Sequence, residues 1–254
     1  VMVDAFATLN VVDLLVDDDL TVVGDLDVDG TTNLDVVDID GAANFAADVT
    51  IATGADLLTA SAGTDNVRIG LDAGDSIASG GIRNILIGRN AGTAITTGDS
   101  NVAIGWEALK TEDANGNNVA IGASALATQN AGADAYNVGI GYNAGLAVTT
   151  GKRNTLIGGL AGDALTDADY NVAIGTDALG ADTLGSRSVA IGYEALLRQN
   201  FTTATDAYNV AIGFDAGLNV STGVQNTFIG GLAGDGTDDG DANVAVGYAA
   251  LSNN

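Results

Sequence analysis

A five-residue motif of the form Asn-Val-Ala-Ile-Gly recurs eleven times in this chain, and it constrains the fold more than any other feature. Seven of the ten intervals between successive motifs are 17 residues long. A strand–helix–strand unit needs roughly 30 residues or more, so this period predicts the coils of an all-β solenoid. Identical copies begin at Asn101, Asn118, Asn171 and Asn209, and near copies at Asn66, Asn84, Asn137, Asn154, Ser188, Asn226 and Asn243.

Three positions of the motif are almost invariant from coil to coil. The fifth residue is always Gly, which indicates a positive φ angle or a place where backbones crowd. The residue three positions later is always Ala, which indicates a tight site. The first residue is Asn in ten copies, and Asn tolerates a left-handed conformation and can hydrogen-bond to the next coil. We therefore assign structural roles to Asn101, Ile104, Gly105 and Ala108 in one coil and to Asn171, Ile174, Gly175 and Ala178 in another.

The strand of each coil is apolar on both faces. The second and fourth motif residues are Val, Ile or Thr and share one face, while the third residue is also apolar except at Arg68. A strand that is apolar on both faces is typical of a buried parallel sheet. We expect an interior of Ile, Val and Ala, two strands of about five residues per coil, and a second chain covering the outer faces. A cyclic homotrimer would satisfy this last requirement.

A longer rhythm organises the coils into groups of four. The residue after the invariant Ala reads Gly, Gly, Leu, Leu in successive coils, which divides the parallel β-roll into groups at 66–136, 137–208 and 209–254. Residues 20–65 alternate apolar and Asp residues between glycines, which predicts a β-rich fibre shaft. Residues 1–19 are assigned as an N-terminal attachment segment. Because the first residue is Val and no basic region of a secretory signal follows, we expect a processed chain or part of a longer one.

The composition excludes several classes of function. The chain has no Cys, His or Pro, which rules out disulfides, thiolate or imidazole catalysis and the usual zinc sites. With 33 acidic and 8 basic residues, the formal net charge is −25. Such a chain repels phosphate backbones and anionic membranes, and no apolar run approaches the roughly 18 residues of a membrane span. We therefore expect no nucleic-acid partner and no membrane insertion.

Calcium is the one metal that the acidic residues suggest. The segment DLDVDG at 25–30 matches the start of a calcium loop, but the position of the bidentate Glu holds Val36 and the alternation fits a strand better. The acidic turn near the end of the chain is the other candidate, and the alternative there is a solvated turn. The chain requires no cofactor, and its candidate calcium ligands are Asp235, Asp238, Asp239 and Asp241.

Aromatic residues supply the candidate contacts for a receptor. Trp106 belongs to a group of rings that follow the invariant Gly, and Tyr136 and Tyr208 to a group that precede the Asn. Exposed rings of this kind can stack on sugars or anchor a protein, although packing between successive coils is the favoured interpretation. The segment 198–208, which contains Phe201, departs most from the period and is the best candidate for a recognition loop.

Enzymatic chemistry is not expected. Glycoside hydrolysis needs two carboxylates at a set separation, and among 33 acidic residues some pair will meet that distance by chance. The three Glu residues lie at positions of the repeat rather than in a separate constellation. No Lys follows the glycine-rich segments as a phosphate-binding loop would require.

The repeat resembles two groups of known proteins. The NVAIGxxAL pattern resembles the NSVAIG coils in the heads of trimeric autotransporter adhesins, which are left-handed parallel β-rolls, although the coil here is longer. The combination of GDLDVDG with runs such as NTLIGGLAGDALTDADYNVAIG resembles fibre and appendage proteins of marine tailed bacteriophages. This resemblance covers residues 20–254.

The resemblance implies a non-enzymatic structural fibre of a virion, a tail fibre or appendage that contributes to host attachment. Its implied partners are further copies of itself, other virion or fibre subunits, and a glycan or protein on the host surface. Its implied location is the virion surface or the extracellular space. A bacterial cell-surface adhesin or extracellular filament is the alternative, and a fibre-borne polysaccharide depolymerase is a third.

Overall fold

The structure is a computed structural model that describes residues 62–252. The chain divides into two units, Val1–Thr53 and Gly54–Asn254, and the described residues lie in the second. The predicted attachment segment at 1–19, the calcium-loop match at 25–30 and nearly all of the predicted shaft at 20–65 lie outside the described residues.

The described chain is an all-β parallel solenoid, as the period predicted. Eleven strands form one parallel sheet in the order of the coils, and two further short strands pair with each other. No helix occurs within residues 62–252. The strands are β1 (Val67–Ile69), β2 (Ile85–Ile87), β3 (Val102–Ile104), β4 (Val119–Ile121), β5 (Val138–Ile140), β6 (Thr155–Ile157), β7 (Val172–Ile174), β8 (Gly185–Ser186), β9 (Val189–Ile191), β10 (Thr205–Asp206), β11 (Val210–Ile212), β12 (Thr227–Ile229) and β13 (Val244–Val246).

Each coil contains one strand of three residues, and the coils that begin at Asn171 and Ser188 add a second strand of two residues, so the prediction of two strands of about five residues per coil is wrong. Most of the rest of each coil is turns, because residues in the left-handed region recur at fixed positions and interrupt extended segments. In the coil that begins at Asn171, these residues are Gly175, Asp177, Leu179 and Arg187, with φ angles of 137°, 56°, 55° and 65°. A solenoid of tight turns around a single narrow sheet is the result.

The strands stack in register, so each motif position becomes a straight column. Ile104 pairs with Ile87 on one side and with Ile121 on the other. At about 4.8 Å per strand, eleven strands extend over about 50 Å. Each column therefore repeats one chemical group at the spacing of neighbouring strands.

Within each strand the middle residue faces the interior, so the prediction of an Ala-containing interior is confirmed, but the assignment of the strand Val and Ile residues to it is wrong. Ala103, Leu156, Ala173 and Phe228 are fully buried. The flanking Val and Ile side chains, including Ile104 and Ile174, point outward and are half-buried. The space enclosed by one three-residue strand and its turns is narrow, which favours Ala at this position.

The invariant Gly serves both purposes predicted for it. Gly105 and Gly175 have φ angles of 136° and 137°, a conformation that residues with a Cβ atom rarely adopt. A Cβ atom on Gly175 would lie 2.2 Å from the carbonyl oxygen of Gly192 in the next coil. The prediction of tight packing at the Ala position is also confirmed, since Ala108 and Ala178 are fully buried.

The Asn residues form a buried ladder between coils, as predicted. The backbone N–H of Asn171 donates to Oδ1 of Asn154 (2.9 Å), and Oδ1 of Asn171 accepts from the backbone N–H of Ser188 (2.9 Å). The Asn171 side-chain amide also donates to the carbonyl oxygen of Gly185 (2.8 Å). The left-handed conformation belongs instead to the preceding residue, such as Tyr170 with φ of 61°.

The four-coil grouping arises from packing across the interior. We number the coils from the one that begins at Asn66, so that coil six begins at Asn154 and coil seven at Asn171. Leu156, on the strand of coil six, fills space on both sides, because Cβ atoms on Gly145 and Gly162 would each approach its methyl groups within 2.8 Å. In coil seven the strand carries Ala173 and the opposite wall carries Leu179, both fully buried. Coil six thus places its large side chain on the strand, and coil seven places it on the opposite wall. In coil five both positions are Gly, Gly139 and Gly145, and the side chains of Leu126 and Leu156 from the neighbouring coils fill the space.

Candidate interaction surfaces

The outward side chains of the eleven strands form a continuous apolar ribbon, which we call the outer sheet face. It comprises the first and third residues of each strand, and only Thr155 and Thr227 replace Val or Ile in it. Ile85 and Ile229 are each 40% exposed although they belong to regular strands. Contiguous exposed apolar patches of this kind mark interaction sites in soluble proteins.

A row of aromatic rings lies beside this face, at the position directly after the invariant Gly. We call these five rings the ring column, and all of them are exposed: Trp106, Tyr142, Tyr193, Phe214 and Tyr248. Tyr193 and Phe214 occupy successive coils and stack with their centroids 5.4 Å apart. The predicted contact residue Trp106 is 51% exposed. The ring column therefore adds exposed apolar surface next to the outer sheet face, just past the carboxyl ends of the strands.

A second row, before the Asn ladder, alternates Tyr and Arg. Arg153 lies 5.9 Å from the ring centroid of Tyr136 and 5.4 Å from that of Tyr170. Arg187 lies 4.8 Å from Tyr170 and 5.8 Å from Tyr208. These cation–π contacts join rings and guanidinium groups of successive coils, while Tyr136 and Tyr208 remain 50% exposed. For Tyr136 and Tyr208 the geometry therefore favours packing between coils, and aligning the motifs by column would have placed the two Arg residues in the same row.

The ring of Phe201, the fourth predicted contact residue, is buried at 6% exposure and offers no surface to a receptor. The four extra residues of its coil, where the interval is 21 rather than 17, leave Thr202, Thr203 and Ala204 exposed instead. The strand β10 that follows them pairs with β8 of the preceding coil. The insertion is thus a structured projection whose outermost residues are small and polar.

The predicted calcium ligands do not converge. Asp238 accepts a hydrogen bond from the Ser221 hydroxyl, and Oδ1 of Asp241 accepts one from the backbone N–H of Val224 (2.8 Å). Both bonds run to the preceding coil. Across residues 62–252, no three acidic side chains are arranged to hold a metal ion. Asp238 and Asp239 line a shallow depression of about 300 Å³, together with Gly236, Thr237, Gly240 and Asn243.

The pKa values of two acidic side chains are raised by partial burial and by an acidic neighbour in the adjacent coil. Asp177, Glu194 and Asp215 occupy the same position in three adjacent coils. Partial burial, followed by the charge of Glu194, raises the pKa of both Asp177 and Asp215. Stacking in register therefore concentrates negative charge along this edge, as expected for like charges spaced by one strand.

Two carboxyl groups lie inside the roll, and neither was among the site residues predicted from the sequence. Glu112 and Asp182 are fully buried and occupy the same interior position in two coils. Burial raises the pKa of each, although hydrogen bonds to Asn115 and to Gln199 oppose the effect. The signal in the sequence was their shared position, seven residues after the invariant Gly.

We expect mild acid to stabilise the roll. The pKa values of Glu112, Asp182, Asp177 and Asp215 are higher in the folded chain than in the unfolded chain, so the folded state binds protons more tightly. Their stabilisation is complete below the ordinary pKa values of 3.8 for Asp and 4.5 for Glu, and is lost as pH rises through the raised values. Thermal unfolding followed by circular dichroism should give a higher Tm at about pH 5 than at about pH 8.

The variant Glu112→Gln provides the control for this effect. Gln retains the carbonyl oxygen that accepts from Asn115 (3.0 Å) but cannot ionise. We expect a smaller difference in Tm between the two pH values than in the parent chain. A Tm that fell steadily from pH 8 to pH 5 would contradict the prediction.

No protein-family model, curated protein or solved structure matches the chain. Within residues 62–252, no helix is long and apolar enough to cross a membrane. The repeat geometry and the surfaces described above are therefore the basis for a function.

Proposed function

We propose that this chain is a non-enzymatic structural fibre of a virion, a tail fibre or appendage that contributes to host attachment. The observation that carries the proposal is the outer sheet face, an apolar ribbon along the stack of eleven coils. A rod that displays such a face is suited to assemble side by side with copies of itself. The resemblance of the repeat to phage fibre and appendage proteins supports the placement on a virion.

A homotrimer is the assembly that fits a fibre best. The outer sheet face has two apolar columns, the first and third residues of each strand, such as Val172 and Ile174. Around a three-fold axis parallel to the rod, each chain meets two neighbours, so each column can face a different one. Burying these columns removes apolar surface from water along the full stack, at about 25 cal/mol per Å².

The native mass in solution tests the assembly. Three chains of 25.1 kDa give about 75 kDa, and we expect light scattering to report this mass. Ile174→Asp should shift the mass toward 25.1 kDa, because it places a charge in the apolar contact between chains. In a separated chain this side chain points outward, where water can solvate the charge. Thr203→Asp, at an exposed site on the projection, is the matched control and should leave the trimer intact. A monomer of the parent chain would contradict the trimer.

The location of the native protein tests the function. Antibodies against the roll should label purified virions, and mass spectrometry should detect peptides of the chain in those virions. Labelling of bacterial cell surfaces in the absence of virions would favour the adhesin alternative. Clearing of purified exopolysaccharide by the isolated protein would contradict the assignment as a non-enzymatic fibre.

A further inference from the structure

One interior column of the roll alternates between apolar and polar residues in step with the four-coil groups. This position lies seven residues after the invariant Gly, and all ten of its described members are buried. The first two coils of a complete group carry aliphatic residues, the third an acid and the fourth a Gln. In order, the members are Ile77, Ile95, Glu112, Gln129, Val148, Leu165, Asp182, Gln199, Val220 and Thr237.

In the second group the acid and the Gln bind each other inside the roll. Nε2 of Gln199 donates to Oδ2 of Asp182 (2.6 Å). Oδ1 of Asp182 accepts from the backbone N–H groups of Gly185 (3.0 Å) and Phe201 (3.1 Å). Oε1 of Gln199 accepts from the side-chain amide of Asn209 (2.7 Å). The pair therefore holds both ends of the projection, at Phe201 and at Asn209.

The surroundings of the pair are shaped to fit it. A Cβ atom on Gly185 would lie 2.0 Å from Oδ2 of Asp182 and 2.7 Å from the ring of Phe201, so only Gly leaves room for both. The fully buried pair replaces the apolar residues that Val148 and Leu165 supply in the preceding coils. Burying polar groups costs free energy unless every one is hydrogen-bonded, so such a pair selects one arrangement rather than adding general stability.

We propose that Asp182 and Gln199 form a buried latch that fixes residues 200–208 in one conformation against coil seven. The latch acts through the backbone of Phe201 and the side chain of Asn209, and it leaves Thr202, Thr203 and Ala204 exposed at the tip. A tip held in this way loses little conformational entropy when it contacts another molecule. The proposal concerns the conformation of the projection and does not depend on the identity of the fibre.

Hydrogen exchange of the double variant Asp182→Leu/Gln199→Leu tests the latch. Leu is the residue that coil six carries at this position, so the interior stays apolar and filled. We expect amides within 200–208 to exchange about tenfold faster, because the hydrogen bonds that close the projection are lost. Amides of β9 (Val189–Ile191) should keep the protection of the parent chain. Unchanged exchange within 200–208 would overturn the proposal, since β10 pairing alone would then hold the projection.

Two further variants separate the latch from a general effect on folding. Asp182→Asn keeps the size of the side chain but replaces one carboxylate oxygen by an amide group, whose N–H atoms would face the Nε2 donor of Gln199. This variant should also speed exchange within 200–208. Gln129→Leu removes the equivalent bond to Asn137 (2.6 Å) in the first group, and it should affect 130–136 while leaving 200–208 unchanged. Loss of protection across β9 in both Asp182 variants would show that the pair holds the coil stack, and would overturn the proposal.

Discussion

Replacement of Gly158 by alanine is expected to destabilise the roll by about 3 kcal/mol or more. Gly158 has a φ angle of 137°, and a Cβ atom there would lie 2.4 Å from the carbonyl oxygen of Gly175. Neither the strain nor the clash can relax locally, because the obstructing atom belongs to the backbone of the next coil. Chemical denaturation followed by circular dichroism measures the loss.

The adjacent residue provides a matched control. A Cβ atom on Gly159 would have no heavy atom within 4 Å, and the same position holds Ala123 and Trp106 in other coils. Gly159→Ala should therefore be neutral or slightly stabilising, since it restricts the unfolded chain. Equal losses in the two variants would show that the invariant Gly has no special role.

Replacement of Leu156 by alanine is expected to cost about 3–5 kcal/mol. The Leu156 side chain is fully buried and fills space left by Gly145 and Gly162, which have no side chains to move into the cavity. Denaturant unfolding measures the change. A loss below about 1 kcal/mol would contradict the packing account of the four-coil groups.

A double variant tests the same account more directly. Gly162 has a φ angle of 55°, the same as Leu179, which occupies its position in the next coil. Gly162→Leu alone should be destabilising because its side chain would meet Leu156. Combined with Leu156→Ala, it recreates the arrangement of Ala173 and Leu179. The loss of stability in the double variant should then be smaller than the sum of the two single-variant losses by about 1–3 kcal/mol.

Periodicity in the sequence predicted the coil, its strand and its columns, because each is a local consequence of one repeated motif. The Gly, Ala and Asn roles followed from residue types that tolerate little substitution. Which strand face lies inside could not be predicted in the same way. Alternation separates Ala173 from Val172 and Ile174 but does not say which side is enclosed, and both sides are apolar. The turns make the interior narrow, and a narrow interior favours the small Ala173 side chain over Val172 and Ile174 on the enclosed side.

The candidate surfaces were less predictable because they depend on neighbours in adjacent coils. Phe201 lies in an insertion, where an aromatic residue suggests an exposed contact, yet its ring packs inside beside Gly185. The exposed ring of Tyr136 lies 5.9 Å from the guanidinium of Arg153 in the next coil, a contact that the residue type alone does not indicate. Such contacts become visible in the sequence only when residues 17 or more positions apart are compared column by column.

The alternation of large side chains between the two walls limits how this rod can change its length. Removing the coil that carries Gly145, for example, would place Leu156 beside the coil of Leu126, whereas it now lies between Gly145 and Gly162. A complete group of four coils restores the same neighbours on both sides. Gain or loss of coils by duplication is therefore expected in steps of four, about 19 Å each. The length of such a rod is therefore expected to vary in whole four-coil groups rather than in single coils.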